Sequence, residues 1–439
     1  MNKTLTLRLV NIVQVVILAI LLILPFHEFL TTWLASNFGH IDLFRIWKEV
    51  VLIIISPIVI YLALINQKLR SWLIRDKLVL LILFFSLIVV VLGVVGYHMH
   101  HVNASALEAG LIIDLRFLLI FLFTLTITNY SDFFKKNWRQ ILIFPAVLVI
   151  LFGLAQLFLP LNFLTHFGYG PHTIPAYQTI DQQRTFHRIQ STLRGANPLG
   201  AYLILIIPIV MFFSTKRRLI RIGTSLLSLI AIFFTYSRSA YVGLLITVGI
   251  IFYYLKFDNP KVKNETKKAL YYIFAGIILL VLALGVALRN NTTFDNVFLH
   301  TSKNSHSHSS SNTVRFSDLR SNTTNFIKHP LGQGVGIAGP ASVHNNHPAM
   351  FAENFYIQIG QETGVLGLII FLSINIIVGY RLYLRRDDPL SLFLFASLIG
   401  LTVVNMVSHA WADDTLSLLW WAFAGVALSP KLTKSQATK

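Results

Sequence analysis

Arginines at the edges of apolar runs, and one carboxylate that closes a long polar segment, are the residues here whose types and spacing can do chemistry. Arg194 stands in STLRGANPLGAYL, where Asn197–Pro198 opens an apolar run, and Arg238 stands in TYSRSAYVGL at the edge of another. Charge is costly at such an edge and is usually paired or functional. Arg315 lies within the polar stretch TSKNSHSHSSSNTVRFSDLRSNTTNFIKHP. A guanidinium group is planar, permanently charged, and grips phosphate oxygens through paired N–H donors. A set of them suits a phosphorylated ligand, although loop solubility or contact with lipid headgroups asks for the same residue type. The polar stretch tightens into HPLGQGVGIAG and passes His344 and His347 in SVHNNHP. It ends on Glu353 in AENFYIQIGQETGVLG, where apolar sequence resumes. The stretch Arg289–Gly367 is the one long polar insertion in the chain and the natural place for a reaction.

The elements that must position these groups are membrane helices. The 439 residues are 55% hydrophobic and only 12% charged, half the charged share of a soluble protein. Apolar runs near 8–26, 49–66, 78–97, 107–127, 140–160, 196–213, 222–236, 239–256, 269–288, 363–381, 389–408 and 415–429 are continuous rather than alternating. They have the length of membrane-spanning helices and not of barrel strands. The expected fold is all-α: a polytopic transmembrane bundle of about twelve helices. It forms a single integral membrane domain over 1–439, with a long external loop, 289–354, between helices nine and ten. The basic, then apolar N-terminus resembles a signal peptide without a cleavage site and reads as a retained first helix.

Lysine-rich loops set the orientation. Lys68 to Lys77, Lys135 to Arg139, Lys216 to Arg221, Lys256 to Lys268, Arg381 to Arg386 and the KLTKSQATK tail alternate with the others and belong in the cytoplasm. Both termini are then inside and 289–353 outside, in a plasma-membrane protein. The same loops account for most of the net charge of +18, so nucleic acid is not an expected partner. The outer segments instead carry arginines: Arg184, Arg188, Arg194, Arg238, Arg289, Arg315 and Arg320.

Other polar residues read as structural. Asp114 and Arg116 lie two apart in an apolar run, do not face each other on a helix, and are expected to pair with other helices. His98, His100 and His101 lack a metal-ligand spacing, and the adjacent Asp413 and Asp414, near His409, diverge on a helix, so no metal site is expected. His306 and His308 sit in low-complexity sequence. No Lys-Ser or Lys-Thr follows HPLGQGVGIAG, so it is not a nucleotide loop but a tight turn at the membrane surface. Glu362 reads as a cap or salt-bridge partner of the next helix. With no cysteine, disulfides and thiolate metal sites are excluded.

Three stretches, STLRGANPLGAYL, TYSRSAYVGL and HPLGQGVG…AENFYIQIGQETGVLGLIIFL, resemble the O-antigen ligase and O-antigen polymerase superfamily, with the likeness concentrated in 190–380. The resemblance implies a GT-C-like membrane glycosyltransferase that takes a glycan from a polyprenyl diphosphate carrier at the outer face. The glycan passes to a lipid, glycan or protein acceptor, with inversion and without a metal or other cofactor. It further implies that Arg194, Arg238 and, third, Arg315 hold the diphosphate. Where the ligases show a His-Asn pair, this chain has Glu353–Asn354. Glu353 is therefore the expected general base, with His344 and His347 nearby as further substrate-binding candidates. A transporter or flippase of lipid-linked glycan, or an inactive assembly scaffold, are the alternative classes.

Overall fold

The computed structural model describes residues 3–180, 183–215, 217–258, 311–351 and 353–430. Ten helices and a hairpin come first: α1 Lys3–Ile23, α2 His27–Phe38, α3 Ile41–Arg45, α4 Trp47–Ile65, α5 Gln67–Leu73, α6 Lys77–His98, α7 Ala104–Ile127, α8 Phe133–Ala155, the strands β1 Gln178–Ile180 and β2 Gln183–Arg188, then α9 Ala196–Phe213 and α10 Arg218–Phe234. Five more helices follow: α11 Arg238–Tyr253, α12 Ser311–Lys328, α13 Phe355–Leu384, α14 Pro389–Asn405 and α15 Asp414–Leu428. Eight helical stretches among the described residues are long and apolar enough to cross a membrane, and α14 and α15 are shorter apolar helices. Each expected span falls on a helix except 269–288, which lies outside the described residues.

The bundle is layered by burial rather than by hydrophobicity, because nearly every helix is apolar all round. α9 and α15 are buried along almost their whole lengths. α1, α4 and α6 turn rows such as Ile53, Ile54, Leu80, Leu83, Leu87 and Val91 outward, as lipid-facing helices do. Trp411, Trp420 and Trp421 stack with Phe117 and Phe121 where α15 packs on α7. Helix starts are fixed by side chains. Asp76 accepts from Leu78 and Val79 N–H at α6 and is itself gripped by Arg381 at 2.9 and 3.0 Å.

Two parts of the polar insertion depart from the sequence reading. Residues 311–328, expected as loop, form α12. Its residues Leu319, Asn322 and Phe326 share one face at helical spacing; Phe326 packs on Gly360, and Asn322 Oδ1 accepts from Gln361 Nε2 at 3.1 Å. The glycine turn does not stand free of the bundle. It is a strap set into a break in α13, where Gly364 takes φ +70°. A broken helix orphans carbonyls before the break and N–H groups after it. The strap satisfies them: Gln333 N donates to Gln361 O at 2.8 Å, Gly334 N to Glu362 O at 3.2 Å, and Val365 N to Pro330 O at 2.9 Å. Within a membrane bundle, non-helical backbone is tolerated where protein buries it. Here Gly96 and Gly110, on α6 and α7, admit the strap so closely that a Cβ on either would come within 2.7 Å of Gly334 Cα or Gly336 N.

Gly336 carries φ +92°, and a Cβ there would strike the Ala106 main chain. Gly336→Ala is expected to destabilise the protein by about 1–3 kcal/mol or more. Gly223→Ala, in α10 with open space around it, should stay within about 0.5 kcal/mol. Thermal unfolding of the two variants in detergent checks this.

Candidate active site

Arg194 and Arg238 are carried to one end of the bundle by two packed turns. Arg194 precedes α9, whose first N–H, from Ala196, is taken by Gln178 Oε1 of β1 at 3.0 Å. Arg238 opens α11, which packs on α9 so tightly that a Cβ on Gly200 would meet Ala240 Cβ at 2.7 Å. Arg188, at the end of β2, ties the turns together: Nε donates to Thr235 O at 2.8 Å and Nη2 to Asn197 Oδ1 at 2.6 Å. Ile189 N adds a bond to Phe234 O at 3.1 Å. Arg188 is half-buried and committed to the scaffold, whereas Arg194 is exposed and Arg238 half-exposed. Arg315 lies on α12 by its backbone, but its side chain is outside the described part. Arg289 lies outside the described residues altogether.

Glu353 reaches the same end of the bundle by another route. Asn354 caps α13, its Oδ1 accepting from Tyr356 and Ile357 N–H at 3.0 Å, while its Nδ2 donates to Met406 O at 2.9 Å just past α14. The last turns of α14 pack against the start of α11, where Gly243 accommodates Val404 and the Gly400 carbonyl. Glu353 is half-buried, with Oε2 shielded from solvent, at the positive end of the α13 dipole.

Backbone strain marks the same places. Five non-glycine residues among those described have positive φ. Three of them, Ser191 (54°), Tyr236 (49°) and Glu353 (44°), stand just before or at Arg194, Arg238 and the α13 cap. Such conformations cost of order 1–3 kcal/mol and gather at functional sites. Sequence reading missed Arg188 as the tie and Tyr236 as the strained residue; nothing in TYSRSAY signals a left-handed tyrosine.

His344 and His347 are exposed and lie elsewhere in the insertion, against the α6–α7 connection. The carbonyl of His344 accepts from Asn103 Nδ2 at 3.4 Å, and His347 Nε2 is 3.3 Å from His101 O. His98, His100 and His101 are exposed and join no metal-ligand cluster among the described residues. His306 and His308 lie outside the described residues.

The remaining ionic groups form a buried network joining α2, α4, α7 and α15. Asp414 Oδ2 receives Lys48 Nζ at 2.8 Å and His27 Nε2 at 3.1 Å. Arg116 reaches Glu49 Oε1 at 3.2 Å and Ala412 O at 2.6 Å. His27, Glu28 and Asp414 could in principle hold a metal ion, but Lys48 Nζ, 3.0 Å from His27 Nε2, already supplies the positive charge there. Asp413 turns away to cap α15 at Leu416 N, 3.1 Å, and desolvation with the adjacent Asp414 charge pushes its carboxyl up to about 7. Desolvation lowers His409 to about 4, leaving its ring neutral. Asp114 and Glu362 are both fully buried, and Glu362 caps no following helix: its Oε1 accepts from Gly336 N at 3.1 Å.

Helices of spanning length and a strap set into a broken helix mark a multi-pass membrane protein, with a candidate site where the arginines lie at the bundle's end. Residues 223–372, from α10 through the strap into α13, match the family model described as O-antigen ligase. An O-antigen polymerase of Salmonella muenchen is 27% identical over 253 residues, which is 52% of this chain and 57% of that protein. The chain thus matches a little over half the length of this curated relative. Together these findings support the O-antigen ligase/polymerase superfamily for this chain. The matched region contains Arg238, Arg315 and Glu353, while Arg194 precedes it.

Proposed function

We propose that this protein builds cell-surface polysaccharide by moving a glycan from a polyprenyl diphosphate carrier onto a lipid, glycan or protein acceptor at the outer face of the plasma membrane. The observation that carries this reading is the gathering of Arg194 and Arg238 by the Arg188 tie, at the end of the bundle where Glu353 also stands. The acceptor hydroxyl oxygen attacks the anomeric carbon as the carbon–oxygen bond to the diphosphate breaks. The electron pair leaves with the diphosphate, the hydroxyl proton passes to Glu353, and the anomeric centre inverts. Arg194 and Arg238 hold the leaving group, and Arg315 is a third candidate for the same role. No step calls for a metal, because fixed guanidinium groups take the developing charge.

Reconstitution with lipid-linked glycan and acceptor tests the reaction. Transfer releases free polyprenyl diphosphate in step with product. The broken α13 also suits transport, since carriers bind substrates at discontinuous helices. A carrier would move the donor with its glycan linkage intact, and that outcome would replace the transferase reading.

The lysine-rich loops support cytoplasmic termini and an external site. The chain has no cysteine, so Asn346→Cys, at an exposed position in the insertion, gives a single reporter. It should react with an impermeant thiol reagent added to intact cells. Labelling only after permeabilisation would reverse the orientation.

A further inference from the structure

Arg194 is placed by its backbone alone. Its side chain is exposed, and its guanidinium forms no hydrogen bond or ion pair among the described residues. A side chain held by nothing at its tip is only as well aimed as the turn that carries it. That turn, Gln190–Leu193, is buried along its whole length. It closes through Leu193 N, which donates to Gln190 O at 3.1 Å, and it bends at Ser191, where φ is +54°. Serine enters the left-handed region at a cost, so its surroundings must hold it there.

Gln156 does the holding. It stands just past the last turn of α8 and is itself buried. Its Oε1 accepts from Ser191 N at 2.8 Å and from Gln190 N at 3.2 Å, while its Nε2 donates to Ser191 O at 3.3 Å. One amide thus satisfies three main-chain groups that burial would otherwise leave unpaired. Because it grips both the N–H and the carbonyl of Ser191, it fixes the conformation of the turn. Two hydroxyl bonds fix where the turn sits: Ser191 Oγ donates to Val149 O at 2.6 Å, and Thr192 Oγ1 to Pro25 O at 2.6 Å. On the far side of Arg194, Gln178 Oε1 takes Ala196 N. Arg194 is the exposed point between two amide clamps.

We propose that Gln156 is a positioning residue for Arg194: it locks the buried Gln190–Leu193 turn so that the guanidinium meets a diphosphate at the end of the bundle. The inference rests on the reading of Arg194 as a diphosphate ligand and adds a residue that acts through Arg194, not by contact with substrate. Small misplacements of such a group carry large losses, which is why a buried lock beneath an exposed arginine matters.

The test is binding of polyprenyl diphosphate to the purified full-length protein in detergent, with polyprenyl alcohol as a tail-only control and thermal unfolding measured alongside. Arg194→Lys should weaken the diphosphate about tenfold and leave the alcohol unchanged. Gln156→Met, equal in length but without the amide, should do the same. In the double variant the second change should add less than about twofold, because both act on one contact. Gln156→Asn withdraws the amide by one methylene yet keeps a polar group beside the turn. It should show the same selective loss in smaller measure, and it is read instead if Gln156→Met does not fold. Normal diphosphate affinity in Arg194→Lys would remove the diphosphate reading and this inference with it. A loss in Arg194→Lys beside normal affinity in the folded Gln156 variants would overturn this inference alone. Equal weakening of diphosphate and alcohol, or a loss that multiplies with that of Arg194→Lys, would make Gln156 merely structural and overturn it too.

Discussion

Arg194→Lys and Arg238→Lys are each expected to slow glycan transfer about 10²–10³-fold while leaving the protein folded, which is the typical cost of removing one preorganised donor from developing charge. Lysine keeps the charge but loses the planar fork that holds two oxygens at once. The folded state should tolerate both changes, because Arg194 is exposed and Arg238 half-exposed at the bundle's end. Arg188→Lys supplies the contrast. Arg188 spends Nε on Thr235 O and Nη2 on Asn197, so its replacement should lower the yield of folded protein and the unfolding temperature. Single-turnover release of polyprenyl diphosphate at saturating donor, measured beside unfolding temperature, separates the two effects. Near-normal turnover in both Arg194→Lys and Arg238→Lys would remove them from the leaving-group site.

The helices were legible because their signal is local. A run such as KLVLLILFFSLIVVVLGVVGYH needs no partner to be read as a span, and α6 follows it from Lys77 to His98. The arginines at the edges of α9 and α11 were legible for the same reason, since charge beside an apolar run is a property of neighbouring residues. What could not be read was pairing at a distance. Gln333 meets Gln361, and Lys48 meets Asp414, across intervals for which the sequence holds no period. The glycines of LGQGVGIAG signalled an unusual backbone but not its neighbours: a free turn and a strap packed against Gly96 and Gly110 ask for the same residue. Helix α12 was hidden because its polar sequence carries only the single stripe of Leu319, Asn322 and Phe326, which gains meaning once Gly360 and Gln361 are opposite it. Acids near helix starts commonly cap or pair, which is how the sequence reads Glu362; the break at Gly364, which puts it at a helix end instead, is a tertiary event.

Glu353→Gln should slow transfer about 10²–10⁴-fold, the usual loss when a general base is removed, with expression and donor binding retained. Glutamine keeps the size and most hydrogen bonding of the side chain but cannot take up the acceptor proton. The structure lets this loss be told apart from damage to the fold. The α13 cap belongs to Asn354, through its bonds to Tyr356 and Ile357 N–H, and the anchor to Met406 O is also Asn354's. Neither depends on the Glu353 side chain. Its backbone, at φ +44°, is the strained element, and glutamine is subject to the same steric limits as glutamate there. Glu353→Gly relieves that strain and removes the side chain, so it should lose activity as Glu353→Gln does. Glu353→His is the sharper probe, since it puts the residue type of the ligases at this position. Partial recovery relative to Glu353→Gln would show that the position supplies a base. Full turnover of Glu353→Gln in a purified assay would move the base elsewhere.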